Sequence, residues 1–170
     1  THAAEWEAFC AALCAARSIP LISERVQVND DGSGIEAAAR KQRYDVFRQI
    51  DVDAVALAHH LDDQVETFLL QLLRGAGAKG LAAMPEIRNT DHGDQAGHRG
   101  GAGSRPLPLI LRPLLDVPRA EIDAYARARG LAWVEDESNA DPGYDRNYLR
   151  STVLPQIQAR FPGYRETLAR

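Results

Sequence analysis

A group of ionisable side chains follows a short apolar run in the first half of the chain. Its members are His59, Asp62, Asp63 and Glu66, at offsets of three, four and seven residues. Those that belong to the predicted helix share one face near its start. Carboxylates this close repel one another unless a cation or a basic group neutralises them. The group therefore predicts a site for a ligand or a metal ion. As an alternative, acidic residues in a first helical turn serve only to offset the positive end of the helix dipole.

The segments around this group are predicted to be a buried strand and an amphipathic helix. Residues 54–58 form an apolar run bounded by polar residues, which is typical of a buried parallel strand. From Leu61 onward, apolar side chains recur at helical spacing until Gly75 ends the pattern. Ligands of doubly wound sheets bind beyond the carboxyl ends of the strands. The group therefore lies where an α/β fold places its chemistry.

Further helices and strands alternate along the chain. Helices are predicted over residues 3–17, 35–50, 118–129 and from 145 onward with an interruption at Pro155, and strands over 21–28, 109–115 and 132–134. Residues 89–105, which are rich in Gly, Asp and His, are predicted to be a flexible surface excursion. The alternation predicts an α/β domain with a mostly parallel sheet.

The composition indicates what class of protein this is but not which reaction it catalyses. With 170 residues, 45% of them hydrophobic and 26% charged, the chain has the composition of a globular domain. No apolar run approaches the roughly 20 residues of a membrane span, and a net charge of −4 gives no general sign of nucleic-acid binding. Cys10 and Cys14 are predicted to be packed thiols, because no further cysteine–histidine set completes a zinc site. These features predict a cytoplasmic protein without a membrane partner.

Two further groups of polar residues have both a structural and a functional interpretation. Arg40 and Arg43 lie three apart on the second predicted helix, where they serve either as solvated charges or as ligands for a phosphate or carboxylate. The second polar group follows the last predicted strand and comprises Asp136, Asn139, Arg146, Asn147 and Arg150. For Asp136 and Asn139 the alternative to ligand binding is an Asx turn, in which the side chain accepts a hydrogen bond from the nearby backbone.

Several motifs, taken together, resemble one family. They are GIEAAAR at 34–40, RY at 43–44, HHLDDQVET at 59–67, RG at 74–75, GL at 80–81, RPLL at 112–115, EDESN at 135–139 and DRNYLR at 145–150. In this order they resemble the catalytic domain of the tRNA(Ile)-lysidine synthetases, a branch of the PP-loop ATP pyrophosphatase group. The resemblance implies a Rossmann-like parallel sheet flanked by helices, of the adenine-nucleotide alpha hydrolase-like kind. It also implies that residues 1–150 are a partial catalytic domain and that residues 151–170 begin a linker helix.

The resemblance implies a ligase that depends on ATP and Mg²⁺. In that family, O2 of cytidine 34 in the CAU anticodon of tRNA(Ile) is adenylated, and the ε-amine of free L-lysine then replaces AMP at C2. By resemblance, Asp63 and Glu66 are expected to hold the lysine amine. Asp62 is expected either near Mg²⁺ or as a residue that orients the helix start. His59 is expected to orient a neighbour rather than to transfer a proton.

The same resemblance extends to the basic and amide residues. Arg40 and Arg43 are expected to bind the lysine carboxylate or a phosphate, and Arg112 to approach the nucleotide or the tRNA. The second polar group is expected to form the wall that holds the lysine or the wobble nucleotide. The partners implied are therefore tRNA(Ile) with a CAU anticodon and free L-lysine.

One element of the family pattern has no counterpart in the sequence. The Ser-Gly-Gly-x-Asp-Ser loop, which in the family cradles the ATP pyrophosphate, is absent from these 170 residues. The resemblance therefore implies a sheet that is incomplete at its N-terminal side. We expect this segment on its own to be inactive, and to be unstable, rearranged or associated as an oligomer such as a homodimer, because buried strand backbone without partners is costly.

Two alternatives stay open at the level of sequence. One is a PP-loop enzyme of the tRNA 2-thiolation type, although Cys10 and Cys14 do not have the Cys-x-x-Cys spacing of sulfur chemistry. Lysine-dependent, sulfur-independent modification would exclude it. The other is a non-catalytic RNA-interaction segment that uses its arginines alone, against which the acidic residues argue because they repel RNA. Salt-sensitive tRNA binding without pyrophosphate release would favour that second alternative.

Overall fold

The computed structural model describes residues 2–29, 32, 34–89 and 108–169. The described residues form two units, the first ending at Val52 and the second beginning at Asp53. Apart from Asn89, the surface excursion predicted over 89–105 lies outside the described residues. Among the described helices, none is both long and apolar enough to cross a membrane.

Two helices provide the regular structure in the described part of the first unit. α1 spans Ala3–Ala16 and α2 spans Ile35–Gln49, which confirms both predicted helices. Gly34 precedes α2 with a φ of 91°, a conformation that glycine adopts without the steric cost of a side chain. The strand predicted over 21–28 is wrong, because these residues have no regular secondary structure and Ile22 is 62% exposed. Their apolar content suits a strand, but no described strand pairs with them to take up their backbone hydrogen bonds.

The second unit contains a small sheet with β3 at its centre. β1 spans Ala54–Ala56, β2 spans Ile87–Arg88 and β3 spans Leu109–Leu111, in the order β1-β3-β2. β1 and β3 are parallel, whereas β2 pairs with β3 in the antiparallel sense, and Ile110 on β3 is fully buried. The strands predicted at 54–58 and 109–115 are confirmed but shorter. An isolated parallel bridge between His60 and Leu114 extends their pairing toward the start of the next helix.

Helical segments make up most of the rest of the second unit. They are α3 (Leu61–Leu73), α4 (Ala78–Leu81), α5 (Arg119–Ala128), a 3-10 helix (Glu137–Ala140), α6 (Asp145–Tyr148), a π-helical turn (Leu149–Val153), α7 (Leu154–Arg160) and α8 (Tyr164–Leu168). The helices predicted after β1, after Pro118 and from residue 145 onward are confirmed. The strand predicted over 132–134 is wrong, since these residues are exposed and no described strand pairs with them.

The last described residues pack against α3. Val65 of α3, Leu154 of α7 and Tyr164 of α8 form a buried apolar cluster. Burial of such side chains contributes roughly 1.5–3 kcal/mol each, so the residues predicted to begin a linker help to hold α3 in place. Pro155 lies in the first turn of α7, directly after the π-helical turn. This confirms the predicted interruption, because proline lacks the N–H that a continuous helix needs.

Candidate active site

The start of α3 places the predicted acidic residues at the end of the sheet. His60 is the N-cap of α3 and is held by its bridge to Leu114. Nδ1 of His60 accepts a hydrogen bond from the Asp63 backbone N–H at 3.4 Å, and the Asp63 carboxylate accepts one from the His60 backbone N–H at 3.0 Å. This reciprocal capping box satisfies two backbone donors at the helix start. It also fixes the Asp63 carboxylate beside the first turn.

Glu66 lies one turn further along α3, and its side chain has 0% exposure. Arg150, in the π-helical turn, donates to both Glu66 oxygens, from Nε to Oε1 at 2.7 Å and from Nη2 to Oε2 at 2.9 Å. A buried carboxylate is tolerated when it is paired and hydrogen-bonded in this bidentate manner. The hydrogen bonds to Glu66 raise the pKa of Arg150. Desolvation of the guanidinium by burial acts in the opposite direction, but its effect is smaller.

Two further contacts join Asp63 and Arg146 to this pair. Nη2 of Arg150 lies 3.7 Å from Oδ1 of Asp63, and Nε of Arg146 lies 3.5 Å from Oε2 of Glu66. Arg146 also donates from Nη2 to the Thr67 hydroxyl oxygen at 3.1 Å. Asp63, Glu66, Arg146 and Arg150 form what we term the carboxylate–arginine cluster. The structure thus brings together four predicted site residues from two separate motifs.

Asp62 faces a different set of partners. Its Oδ1 accepts a hydrogen bond from Nε of Arg165 at 2.7 Å, and its Oδ2 accepts one from the backbone N–H of Arg119, at the start of α5, at 2.8 Å. Arg165 itself is hydrogen-bonded to Gln158. Burial alone would raise the pKa of Asp62, but the hydrogen bonds from Arg119 and Arg165 outweigh it and lower the pKa. Asp62 is therefore an ionised residue that ties α3 to α5 and α8.

In the second polar group, Asp136 forms a short turn and the side-chain amide of Asn147 binds the backbone of the following loop. Oδ1 of Asp136 accepts a hydrogen bond from the Ser138 backbone N–H at 2.9 Å, so the predicted alternative, an Asx turn, is present. Asn139 is exposed in the 3-10 helix that this turn begins. The Asn147 side chain, 8% exposed, donates to the carbonyl oxygens of Ser138 and Asp141, both at 2.8 Å. Asn147 thereby fastens the loop to the helix that carries Arg146.

Comparison with known proteins decides the family. A family model described as the PP-loop domain matches residues 1–157. The chain belongs to the PP-loop domain family. This PP-loop domain is 48% identical over 171 residues to the tRNA(Ile)-lysidine synthase of Nitrosomonas europaea, a match that covers 100% of this chain and 35% of that protein. It is also 48% identical over 170 residues to the tRNA(Ile)-lysidine synthase of Chromobacterium violaceum, with 99% of this chain and 36% of the relative covered.

The chain spans about a third of the length of these curated relatives. A solved structure, the U34-tRNA thiolase NcsA from Methanococcus maripaludis with its 4Fe-4S cluster, has a TM-score of 0.67 at 14% identity. That match covers 99% of this PP-loop domain and 56% of the thiolase chain. At this identity the likeness shows the fold alone. The α/β PP-loop fold predicted from the sequence is confirmed.

The contacts of Asp62 do not favour the role as a Mg²⁺ ligand that was predicted for it. Mg²⁺ prefers oxygen ligands in near-octahedral geometry, but both oxygens of Asp62 already accept hydrogen bonds from Arg119 and Arg165. Among the described residues, no three His, Cys, Asp or Glu side chains are grouped so as to hold a metal ion. The assignment of Asp62 to Mg²⁺ stays a prediction that these contacts do not support. Its other predicted role, orienting the helix start, agrees with them.

The remaining predicted residues occupy several places in the PP-loop domain. His59 is half-buried between β1 and α3. Arg112 is only 2% exposed and donates from Nη1 to the Pro85 carbonyl oxygen at 2.7 Å. Arg40 and Arg43 are exposed on α2 in the first unit, and the carboxylate–arginine cluster belongs to the second. The orienting role of His59 and the substrate-binding roles of the three arginines stay predictions.

Sequence reasoning missed three residues that shape the site. His60 could have been found, because its spacing of three residues from Asp63 is that of a capping box. Thr67 was part of a matching motif but had no assigned role. Arg165 gave no local signal, because its partner Asp62 is 103 residues away along the chain.

Proposed function

We propose that this PP-loop domain is part of the catalytic domain of a lysidine synthetase, which carries out the ATP-dependent ligation of L-lysine to C2 of cytidine 34 in the CAU anticodon of tRNA(Ile). The observation that carries the proposal is the carboxylate–arginine cluster at the end of the parallel strands. The 48% identity to tRNA(Ile)-lysidine synthases along the chain supports the same reaction. A tRNA-modifying ligase of this kind would act in the cytoplasm, where tRNA and ATP are found.

Free lysine carries two ammonium groups and one carboxylate, so its site needs both acidic and basic groups. We place the lysine amine at Asp63 and Glu66. Asp63 is the more available acceptor, because its Oδ1 lies 3.7 Å from Arg150, which is longer than a hydrogen bond. Both Glu66 oxygens already accept hydrogen bonds from Arg150, so an ammonium group must share them. An ionised carboxylate beside the ε-amine is also suited to accept the proton that lysine must lose before it attacks C2.

The basic residues complete the proposal. Arg146 is 40% exposed and is suited to an incoming anion, such as the lysine carboxylate or a phosphate. We assign Arg40, Arg43 and Arg112 to the same class of ligands by family resemblance. Asp136, Asn139 and Asn147 form the loop proposed as the wall of the site, where Asn147 holds the backbone in place. ATP supplies the adenylyl group that activates cytidine 34 for attack.

The proposal is tested by lysine incorporation in the full-length protein. Purified enzyme, ATP, radiolabelled lysine and tRNA(Ile) transcript should give labelled tRNA, and omission of ATP should abolish it. Glu66→Ala should remove the lysine-dependent product while tRNA binding, measured by filter retention, stays within about twofold. Normal turnover in Glu66→Ala would contradict the assignment of Glu66, and absence of labelled tRNA with the wild-type protein would contradict the function itself.

The same assay separates the two alternatives. A tRNA 2-thiolase would incorporate sulfur rather than lysine. Two observations speak against this alternative. Cys10 and Cys14 are free thiols four apart on α1, and the described residues contain no group of three His, Cys, Asp or Glu side chains that could hold a metal ion. A non-catalytic RNA-interaction segment would bind tRNA in a salt-sensitive manner without releasing pyrophosphate. Association as a homodimer stays a prediction, which analytical ultracentrifugation would test.

A further inference from the structure

We propose that Thr67 is a positioning residue that orients the Arg146 guanidinium for an anionic group of the substrates, either a phosphate or a carboxylate. The inference rests on the proposed function, because lysine, ATP and tRNA supply these anions. Thr67 follows Glu66 directly on α3, so it sits beside the most buried carboxylate of the site. Its hydroxyl oxygen accepts a hydrogen bond from Nη2 of Arg146 at 3.1 Å.

The two arginines of the carboxylate–arginine cluster differ in how fully their charges are neutralised. Arg150 forms two close hydrogen bonds to Glu66, at 2.7 and 2.9 Å. Arg146 approaches the same carboxylate only to 3.5 Å, outside the usual hydrogen-bond range, and its side chain is 40% exposed. In this arrangement Glu66 pairs closely with Arg150 and only loosely with Arg146. The positive charge of Arg146 is therefore less neutralised than that of Arg150, and it is available to an incoming anion.

The Thr67 hydroxyl fixes the direction of Arg146 without cancelling its charge. A carboxylate at this position would hold the guanidinium more tightly but would also neutralise it. A neutral acceptor on a packed helix instead restricts the rotamers of a long side chain before the ligand arrives. Such preorganisation lowers the ordering cost of binding, so its loss should appear as weaker binding of the anion rather than as slower chemistry.

The test uses Thr67→Val, which keeps the side-chain shape and removes the hydroxyl, and Thr67→Ser, which keeps the hydroxyl. In the full-length protein we expect Thr67→Val to raise KM about tenfold for the substrate whose anion Arg146 binds, with kcat changed less than twofold. A tenfold effect corresponds to about 1.4 kcal/mol, the size expected for one hydrogen bond to a charged group. Thr67→Ser should stay within about threefold of wild type. Thr167→Val on α8, where an exposed hydroxyl donates to the Gly163 carbonyl oxygen, is the matched control.

The choice of varied substrate identifies the anion. A raised KM for lysine indicates the amino acid carboxylate, for ATP the triphosphate, and for tRNA an RNA phosphate. In an Arg146→Met background, Thr67→Val should have no additional effect, because the group it positions is gone. Unchanged KM values for all three substrates, or an equal effect in the Arg146→Met background, would overturn the role of Thr67.

Equilibrium binding keeps this inference separate from the proposed function. Calorimetry with pyrophosphate and with L-lysine as probes needs no turnover, so it can be done whether or not the wild-type protein modifies tRNA. Weaker binding of one probe to Thr67→Val, restored by Thr67→Ser, supports the positioning role even if lysine is not incorporated. The tRNA(Ile) transcript serves as a third probe, for the case in which the anion is an RNA phosphate. Equal affinities of wild type and Thr67→Val for all three probes, or no binding of any of them to wild type, would refute it.

Discussion

The buried pair of Glu66 and Arg150 makes a quantitative prediction for Glu66→Gln. The substitution keeps the shape of the side chain, removes its charge and turns one acceptor oxygen into an N–H donor. Removing one partner of a buried ion pair costs about 3–5 kcal/mol. Arg150 retains 32% exposure and has Asp63 as a second carboxylate at 3.7 Å, so water and Asp63 offset part of the loss. We therefore expect a local destabilisation of about 2–3 kcal/mol.

Native-state hydrogen exchange, followed by mass spectrometry in the full-length protein, measures this loss where it occurs. The amides of α3 and of the π-helical turn should lose about 30- to 150-fold of their protection in Glu66→Gln, because each 1.4 kcal/mol is a factor of ten. Amides of α2, in the first unit, provide an internal reference. Glu121→Gln, at an exposed position on α5, is the matched control and should change protection by less than about 0.5 kcal/mol.

A double-mutant cycle with Arg150→Gln then isolates the pair. The coupling free energy should be about 1.5–3 kcal/mol, since both charges act through the same two hydrogen bonds. A loss of less than about 1 kcal/mol in Glu66→Gln would refute the reasoning. It would mean that the pair is hydrated and contributes little to holding α3 against the π-helical turn.

Two further predictions concern the neighbours of this pair. Burial alone would raise the pKa of Asp62, but the hydrogen bonds from Arg119 and Arg165 outweigh burial and lower it. Ionised Asp62 therefore stabilises the fold at pH values above its usual pKa of about 3.9. This contribution is lost as the pH falls through the lowered pKa of the folded state. Urea midpoints measured between about pH 2 and 5 should therefore fall less steeply in Asp62→Asn than in wild type, and identical slopes would speak against this role. The Tyr164 hydroxyl is buried without a hydrogen-bond partner among the described residues, and desolvation raises its pKa. Tyr164→Phe should therefore leave stability unchanged or raise it by up to about 1 kcal/mol, and a loss of that size in urea unfolding would indicate a partner for the hydroxyl.

The helices of this domain could be predicted from the sequence because a helix satisfies its backbone hydrogen bonds locally. The apolar pattern and the terminal glycine and proline signals were sufficient for α1, α2, α3 and α5. A strand, in contrast, exists only beside a partner strand. Residues 21–28 and 132–134 have strand-like composition, but no described strand pairs with either segment. Local pattern contains no information about that pairing, which is why both predictions were wrong.

The candidate site shows the same division between local and distant information. The spacing of Asp62, Asp63 and Glu66 on one helix was visible in the sequence, and family resemblance added the arginines of the second motif. Which carboxylate pairs with which arginine was not visible, because Glu66 and Arg150 are 84 residues apart. The contact between Asp62 and the Arg119 backbone N–H was equally hidden, since a backbone donor has no residue type that could mark it.

The bond between Asp62 and Arg165 has a consequence for how the protein is made. The two residues are separated by 103 positions, and the apolar cover of α3 comes from Leu154 and Tyr164, in the same distant segment. At roughly 5–20 residues per second, ribosomes need about 5–20 s to synthesise that interval. For this time α3 carries its exposed apolar face and unpaired carboxylates in the nascent chain. The amino end of α3 is therefore completed only after Arg165 has been translated, and a product that is stalled or truncated before Arg165 would present α3 to chaperones and proteases.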